Sequence, residues 1–133
     1  MFYSDQKYHP TPCHFMLSLL KDRGILRRIY TQNIDGLERD AGLEPPLLVE
    51  GHGTSRECAC FHCGQEFRSD LPQRSVDSRT VPFCPSCGGP IKPKIVFFHE
   101  HLPSVLYSCF REDMPVADLL IVIGSSLRVY PIG

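Results

Sequence analysis

The chain has 133 residues, 42% of them hydrophobic and 22% charged, with a formal net charge of −1. That composition suits one ordinary globular domain or a piece of a larger one, and the near-neutral balance gives no long-range pull toward nucleic acid or an anionic membrane surface. The longest apolar run, Leu119-Leu120-Ile121-Val122-Ile123, is far too short to cross a bilayer, and Met1-Phe2-Tyr3-Ser4-Asp5 has neither the basic start nor the apolar stretch of a signal peptide. The expectation is a soluble intracellular protein, and an odd count of seven cysteines fits a reduced compartment better than a disulfide framework.

In chain order, His14 to Leu26 carries apolar side chains at Phe15, Met16, Leu17, Leu19 and Leu20. This predicts an amphipathic helix with Thr11-Pro12 as cap and first turn and Asp22-Arg23-Gly24 as its stop. Ile25 to Asn33 predicts a strand whose polar tip breaks into Ile34-Asp35-Gly36, followed by a short helix through Arg39 that stops at Gly42. Leu47 to Glu50 is a second short strand, ending at Gly51-His52-Gly53-Thr54. Helix, strand and polar tip in this order is α/β grammar.

From Ser55 to Pro93 the residues are small, polar and turn-forming, with too few large apolar groups for a core of their own. Within this stretch lie two matched knuckles, Cys60-Phe61-His62-Cys63-Gly64 and Cys84-Pro85-Ser86-Cys87-Gly88. Each CxxC places two thiolates on one tight turn, and the glycine after the second lets the backbone curl so that its amides face the sulfurs. The twenty residues between the knuckles fit the spacing of a four-thiolate zinc site. Four sulfur ligands leave no open position, so the ion is expected to be a single structural Zn2+, and the segment to unfold without it. Cys58, Cys60 and Cys63 offer three candidates for two places. Knuckle symmetry favours Cys60 and Cys63, which leaves Cys13, Cys58 and Cys109 as ordinary thiols and His62 as a solvent-facing turn residue. Beyond the knuckles, Ile95-Val96-Phe97-Phe98 predicts a resumed strand, Leu102 to Met114 a helix with Pro103 near its first turn, and Leu119 to Ile123 a strand buried on both faces of a parallel sheet.

Polar tips at the carboxyl ends of parallel strands are where open α/β sheets bind ligands. Three such tips are predicted: Thr31-Gln32-Asn33-Ile34-Asp35-Gly36, Glu50-Gly51-His52-Gly53-Thr54 and Gly124-Ser125-Ser126-Leu127. Their glycines permit close approach of a ligand, and serines can donate to phosphate or ribose oxygens, which suggests a nucleotide site. Gly124-Ser125-Ser126 alone could equally cap a following helix. A lone histidine is more often structural, but His52, set between two glycines directly after an apolar strand, projects toward an open site and suits a general base for a ribose hydroxyl.

Thr31-Gln32-Asn33-Ile34-Asp35-Gly36-Leu37-Glu38-Arg39, then Glu50-Gly51-His52-Gly53-Thr54, the two knuckles, Lys92-Pro93-Lys94-Ile95-Val96-Phe97-Phe98 and Gly124-Ser125-Ser126-Leu127, in this order, resemble the central portion of a sirtuin. The resemblance covers essentially the whole chain. It implies NAD-dependent removal of acyl groups from lysines of protein or peptide substrates, with nicotinamide released and the acyl group passed to the ribose. It also implies roles. His52 is then the general base. Gln32 and Asn33 hold the nicotinamide ribose and an ordered water. Ile34 lines the cofactor pocket, Asp35 partners the nicotinamide carboxamide, and Gly124, Ser125 and Ser126 bind phosphates and ribose. Val96 and Phe98 form the substrate strand and channel wall, whose apolar character would exclude a charged lysine. Cys60, Cys63, Cys84 and Cys87 match the family's zinc ligands.

The fold so implied is α/β: a partial Rossmann-like parallel sheet in residues 1–54 and 94–133, with a small four-cysteine zinc ribbon inserted at 55–93. Three positions depart from the family pattern: Lys94 stands where an acid is usual, His99 where Gly is usual, and Ser125 where Thr is frequent. Nothing in Met1 to Thr11 matches the family's glycine-rich cofactor loop, and the chain stops at Pro131-Ile132-Gly133, so a fragment of a longer enzyme is expected. A zinc-stabilised interaction module without catalysis is the alternative. A zinc-ribbon nucleic-acid binder fits poorly, for want of a basic and aromatic stripe.

Overall fold

The computed structural model describes residues 8–67, 71, 75 and 77–128. Eight elements follow along the chain among them: α1 (Pro12–Asp22), β1 (Ile29–Thr31), α2 (Leu37–Asp40), β2 (Leu48–Glu50), β3 (Gly53–Cys60), β4 (Glu66–Phe67), β5 (Ile91–Ile95) and α3 (Ser104–Asp113). Thr11 caps α1, its backbone N–H donating to His14 Nδ1 at 3.1 Å, and Pro12 opens the helix where its missing N–H costs nothing. The helix ends at Arg23, and Gly24 turns the chain at φ +68°.

β1 and β2 pair in parallel, with Ile29 opposite Leu48, Tyr30 opposite Val49 and Thr31 opposite Glu50. Side chains alternate across this pair. Ile29 and Leu48 face a core shared with Ala41 and Leu43 and covered by Leu17, Leu26 and Leu47. Leu43 is fully buried, a contribution of about 2 kcal/mol. On the opposite face Val49 packs with Leu106 and Cys109 of α3, flanked by Tyr30 and Leu102, and Phe110 meets the Tyr30 ring edge-on at 6.0 Å.

The last helical residue, Asp113, is 2% exposed and lies at a helix end where a negative charge is unfavourable. Three donors compensate it. Arg27 Nε reaches Oδ1 at 2.8 Å, and Arg28 Nε and the Tyr30 hydroxyl both donate to Oδ2.

A second, antiparallel sheet has the order β4-β3-β5 and encloses Cys58, Cys60, Cys84 and Ile91, with Phe67 and Leu71 against them. β3 begins immediately after His52, and Gly53, at φ +75°, lies so close to β5 that a Cβ there would stand 1.9 Å from the Lys94 carbonyl oxygen. Only glycine fits this crossing.

Three strand expectations change. The strand predicted from Ile25 to Asn33 is confined to Ile29–Thr31, because only those residues have a partner in β2. The apolar run Ile95-Val96-Phe97-Phe98 contributes Ile95 alone, as the last residue of β5, and Phe98 is 95% exposed. Ile95 pairs with Gly53, and the rest of the strand's pairing is made by the less apolar Ile91-Lys92-Pro93, opposite Cys60, Ala59 and Cys58. Leu119 to Ile123 forms no strand, and all five side chains are exposed. A β-branched run becomes a buried strand only when neighbours take up its backbone groups and cover both faces. The described parallel sheet consists of two three-residue strands, neither paired with this run. The helix expected between Leu102 and Met114 forms as α3, with Pro103 at its cap.

Candidate functional site

Parallel pairing brings the carboxyl ends of β1 and β2 side by side, and the Gly51 N–H continues the pairing onto the Thr31 carbonyl at 2.9 Å. The tip Gln32 to Asp35 and the loop carrying His52 therefore meet. His52 Nδ1 lies 3.0 Å from the Gln32 carbonyl oxygen. A carbonyl only accepts, so this bond assigns the proton to Nδ1 and leaves Nε2 with a free lone pair. The backbone of this half-buried residue is held as well, because the His52 carbonyl accepts the Val96 N–H at 2.9 Å.

The tip is fixed group by group. Ile34 O accepts both the N–H and the hydroxyl of Ser55, at 2.9 and 2.7 Å, and Asp35 O accepts Arg56 Nε at 2.8 Å. The Asp35 carboxylate takes the Leu37 N–H at 3.0 Å and so starts α2, while Gly36 turns at φ +73°. The Asn33 N–H donates to Thr31 Oγ1 at 3.1 Å. The Asn33 side chain is exposed and that of Gln32 half-buried.

Of the other expected site residues, Val96 is brought beside His52 by its backbone bond, whereas Phe98 projects outward. Gly124 and Ser126 are exposed, and Ser125 Oγ accepts the Leu127 N–H at 3.2 Å in a local turn. Among the described residues no hydrogen bond ties this turn to the Gln32–His52 pair. Without a strand from Leu119 to Ile123, nothing among the described residues carries it to the sheet's carboxyl edge.

Lys94 is neutralised by its surroundings. It pairs with Glu57 at 2.9 Å and with Glu66. Glu57 also takes Arg39 at 3.1 Å, and Arg39 binds Glu50 at 2.6 Å. The bond from Lys94 holds the Glu57 carboxyl below its usual range against the opposing effect of burial, and Glu66 and Glu57 raise Lys94 in turn. This chain of charges borders a cavity of about 410 Å³ floored by Leu48, Val49 and Cys109. The sequence reading singled out Lys94 but not its acidic partners, because β3 and β5 had first to be paired before residues 57 and 94 could meet.

His99 occupies the left-handed region at φ +73°, with its side chain exposed. That conformation costs a non-glycine residue about 1–2 kcal/mol, a physical reason for the glycine that the family resemblance leads one to expect here. Restoring glycine also loosens the unfolded chain by about 0.4–1 kcal/mol. His99→Gly is therefore expected to raise stability by about 0.5 kcal/mol, read as a higher urea midpoint at unchanged slope.

Cys60, Cys63, Cys84 and Cys87 place their sulfurs all within 4.8 Å of one another. Cys60 and Cys87 are 3.4 Å apart and Cys63 and Cys84 3.7 Å, close to the separation of about 3.8 Å that tetrahedral bonds of about 2.3 Å to zinc would set. The backbone N–H groups of the first knuckle, Cys63 first and then His62, lower the Cys60 thiol to about 6 despite burial. Cys87 moves up to about 12: the Gly89 N–H favours its thiolate, but the Cys60 and Cys63 sulfurs outweigh it. Four thiols gathered this closely cannot all ionise unless a cation joins them. Cys58 lies two residues before Cys60 on the same buried face of β3, inside the apolar cluster and outside the group of four. His62 is exposed.

A family model described as the Sir2 family matches residues 1–131. The chain is 46% identical over 127 residues to the NAD-dependent protein deacetylase sirtuin-2 of Danio rerio, covering 94% of this chain and 34% of that protein. It is 44% identical over 124 residues to the NAD-dependent protein deacetylase sirtuin-3 of Mus musculus, covering 93% and 37% respectively. The chain thus spans about a third of the length of these curated relatives.

Proposed function

Because the chain belongs to the Sir2 family, we propose that it carries the central catalytic segment of an NAD-dependent protein-lysine deacetylase. The observation that supports this reading best is the parallel register that sets the Gln32–Asp35 tip against His52, whose Nε2 has no hydrogen bond among the described residues. In this reading His52 Nε2 takes a proton from a ribose hydroxyl, while Gln32 and Asn33 orient the ribose and an ordered water beside it. Ile34 and Asp35 hold the nicotinamide end, and Gly124, Ser125 and Ser126 take the phosphates and the second ribose. Val96, tied to the histidine through its backbone, offers the edge along which an acetylated peptide lies, and Phe98 belongs to the channel wall. NAD, when bound, supplies the ribose that accepts the acyl group and the nicotinamide that departs. Zinc on Cys60, Cys63, Cys84 and Cys87 takes no part in the chemistry, since four thiolates fill its coordination.

The Nδ1–H bond to Gln32 O fixes the tautomer in which Nε2 can act as base. The test is to incubate the zinc-loaded chain with NAD and an acetyl-lysine peptide, beside His52→Ala, and to follow acetylated ADP-ribose by mass spectrometry. Product from the parent that disappears in the variant supports the reading. Absence of product from the folded, zinc-loaded parent overturns it for this chain. That outcome favours a zinc-stabilised interaction module, consistent with the distance in bonding between the Gly124–Ser126 turn and His52.

A further inference from the structure

Glu38 is 4% exposed, one of four buried polar or charged side chains among the described residues. Its Oε1 accepts the hydroxyl of Thr31, itself 7% exposed, at 2.5 Å. Its Oε2 is buried and has no hydrogen-bond partner among the described residues. An unpartnered buried oxygen is a cost to the fold, and a methionine or leucine in α2 would fill the same volume without it. The carboxylate must therefore be explained by what Oε1 does.

A threonine hydroxyl has one proton and two lone pairs. Glu38 Oε1 takes the proton, so the lone pairs of Thr31 Oγ1 point the other way, where one accepts the Asn33 N–H at 3.1 Å. Thr31 is the last residue of β1, and Asn33 lies two residues beyond it in the tip. Among the described residues, the other backbone anchors of this tip are carbonyls held from the β2–β3 side, by His52, Ser55 or Arg56. The Asn33 N–H is the backbone group by which the tip is held from its own strand, while the Asp35 carboxylate ties it to α2.

We infer that Glu38 is a positioning residue: through the Thr31 hydroxyl it fixes the Asn33 backbone, and with it the exposed Asn33 side chain, next in the chain to the Gln32 that holds the His52 ring. The inference rests on the function proposed above for Asn33. It accounts for a buried carboxylate that weakens the fold, since a preorganised site spends stability on geometry.

The test uses the full zinc-loaded chain with Glu38→Met, Thr31→Val and Thr31→Ser. In the first two, the Asn33 amide is expected to exchange at least tenfold faster by NMR hydrogen exchange. Glu38→Met should leave the melting temperature equal or higher, and deacetylation kcat/KM should fall about tenfold in both. Thr31→Ser, which keeps the hydroxyl, should behave as the parent. A purely structural Glu38 would show the opposite pattern, a lower melting temperature with kcat/KM unchanged, and that result overturns the inference. If the parent itself forms no product, the proposed function fails, and Asn33 exchange then decides this point alone: faster exchange in both variants supports the positioning link, and unchanged exchange overturns it.

Discussion

Removing zinc is expected to melt the antiparallel sheet formed by β3, β4 and β5 while β1, β2 and their core persist. Among the described residues, the buried apolar side chains of the antiparallel unit are three cysteines and Ile91, with Phe67 and Leu71 only partly covered. Burying one isoleucine supplies about 2 kcal/mol, against about 10–16 kcal/mol for a structural zinc held by thiolates. The metal is the larger quantity by far, and without it four crowded sulfurs remain to repel one another or to protonate. The other core, of Ile29, Ala41, Leu43 and Leu48, contains no cysteine. Chelator titration followed by hydrogen exchange and metal analysis should show loss of one zinc per chain coincident with loss of protection in residues 53–60 and 91–95. Cys84→Ser should give the same pattern. Protection that survives complete metal removal would refute the assignment of the cluster as the core of this sheet.

Asp113→Ala is expected to destabilise the packing of α3 on β2 by about 3–5 kcal/mol, the range found when one partner of a buried ion pair is removed. Arg28, 15% exposed at its side chain, would lose the carboxylate that satisfies its Nε, and the Tyr30 hydroxyl would lose its acceptor. The Arg28 bond, followed by that of Tyr30, outweighs burial and draws Asp113 down from the ordinary 3.8 to about 2. A depressed acid stabilises the fold above its unfolded value and loses that contribution as pH falls, here between about 4 and 2. Tyr30 moves in the other direction, raised first by burial and then by Asp113. Its contribution is whole below about pH 10 and is lost above it. Unfolding followed by far-UV circular dichroism from pH 7 to 2 should show the acid loss in the parent and a reduced slope in Asp113→Asn. An unchanged slope would mean that another carboxylate governs acid stability.

The parts of the fold that local signals determine were legible in the chain. Thr11-Pro12 and Gly24 bracket α1, and the knuckle glycines announce the four-sulfur cluster. The meeting of Gln32 with His52 followed from reading two short apolar runs as parallel strands, a reading that the register bears out. What escaped was set by partners rather than by composition. Leu119 to Ile123 has the stronger strand propensity yet lies exposed, while Ile91-Lys92-Pro93 pairs because Cys58-Ala59-Cys60 is opposite. Glu38 and Thr31 were visible only as letters inside a motif, since nothing in a helical glutamate signals that its carboxylate turns inward. The acids around Lys94 come from β3 and β4, distant in sequence, and no local pattern links them to β5.

His52 stands on a two-residue joint: β2 ends at Glu50 and β3 begins at Gly53. One sheet holds its ring through Gln32, and the edge of the other holds its backbone through Val96. It is therefore registered to two cooperative units of different origin, one stabilised by aliphatic packing and one by metal. On heating, the seating of His52 should be lost when the first of the two units yields; with the metal unit yielding first, the curve for His52 would run ahead of the loss of the Tyr30–α3 signal. Added zinc would move the first curve without moving the second.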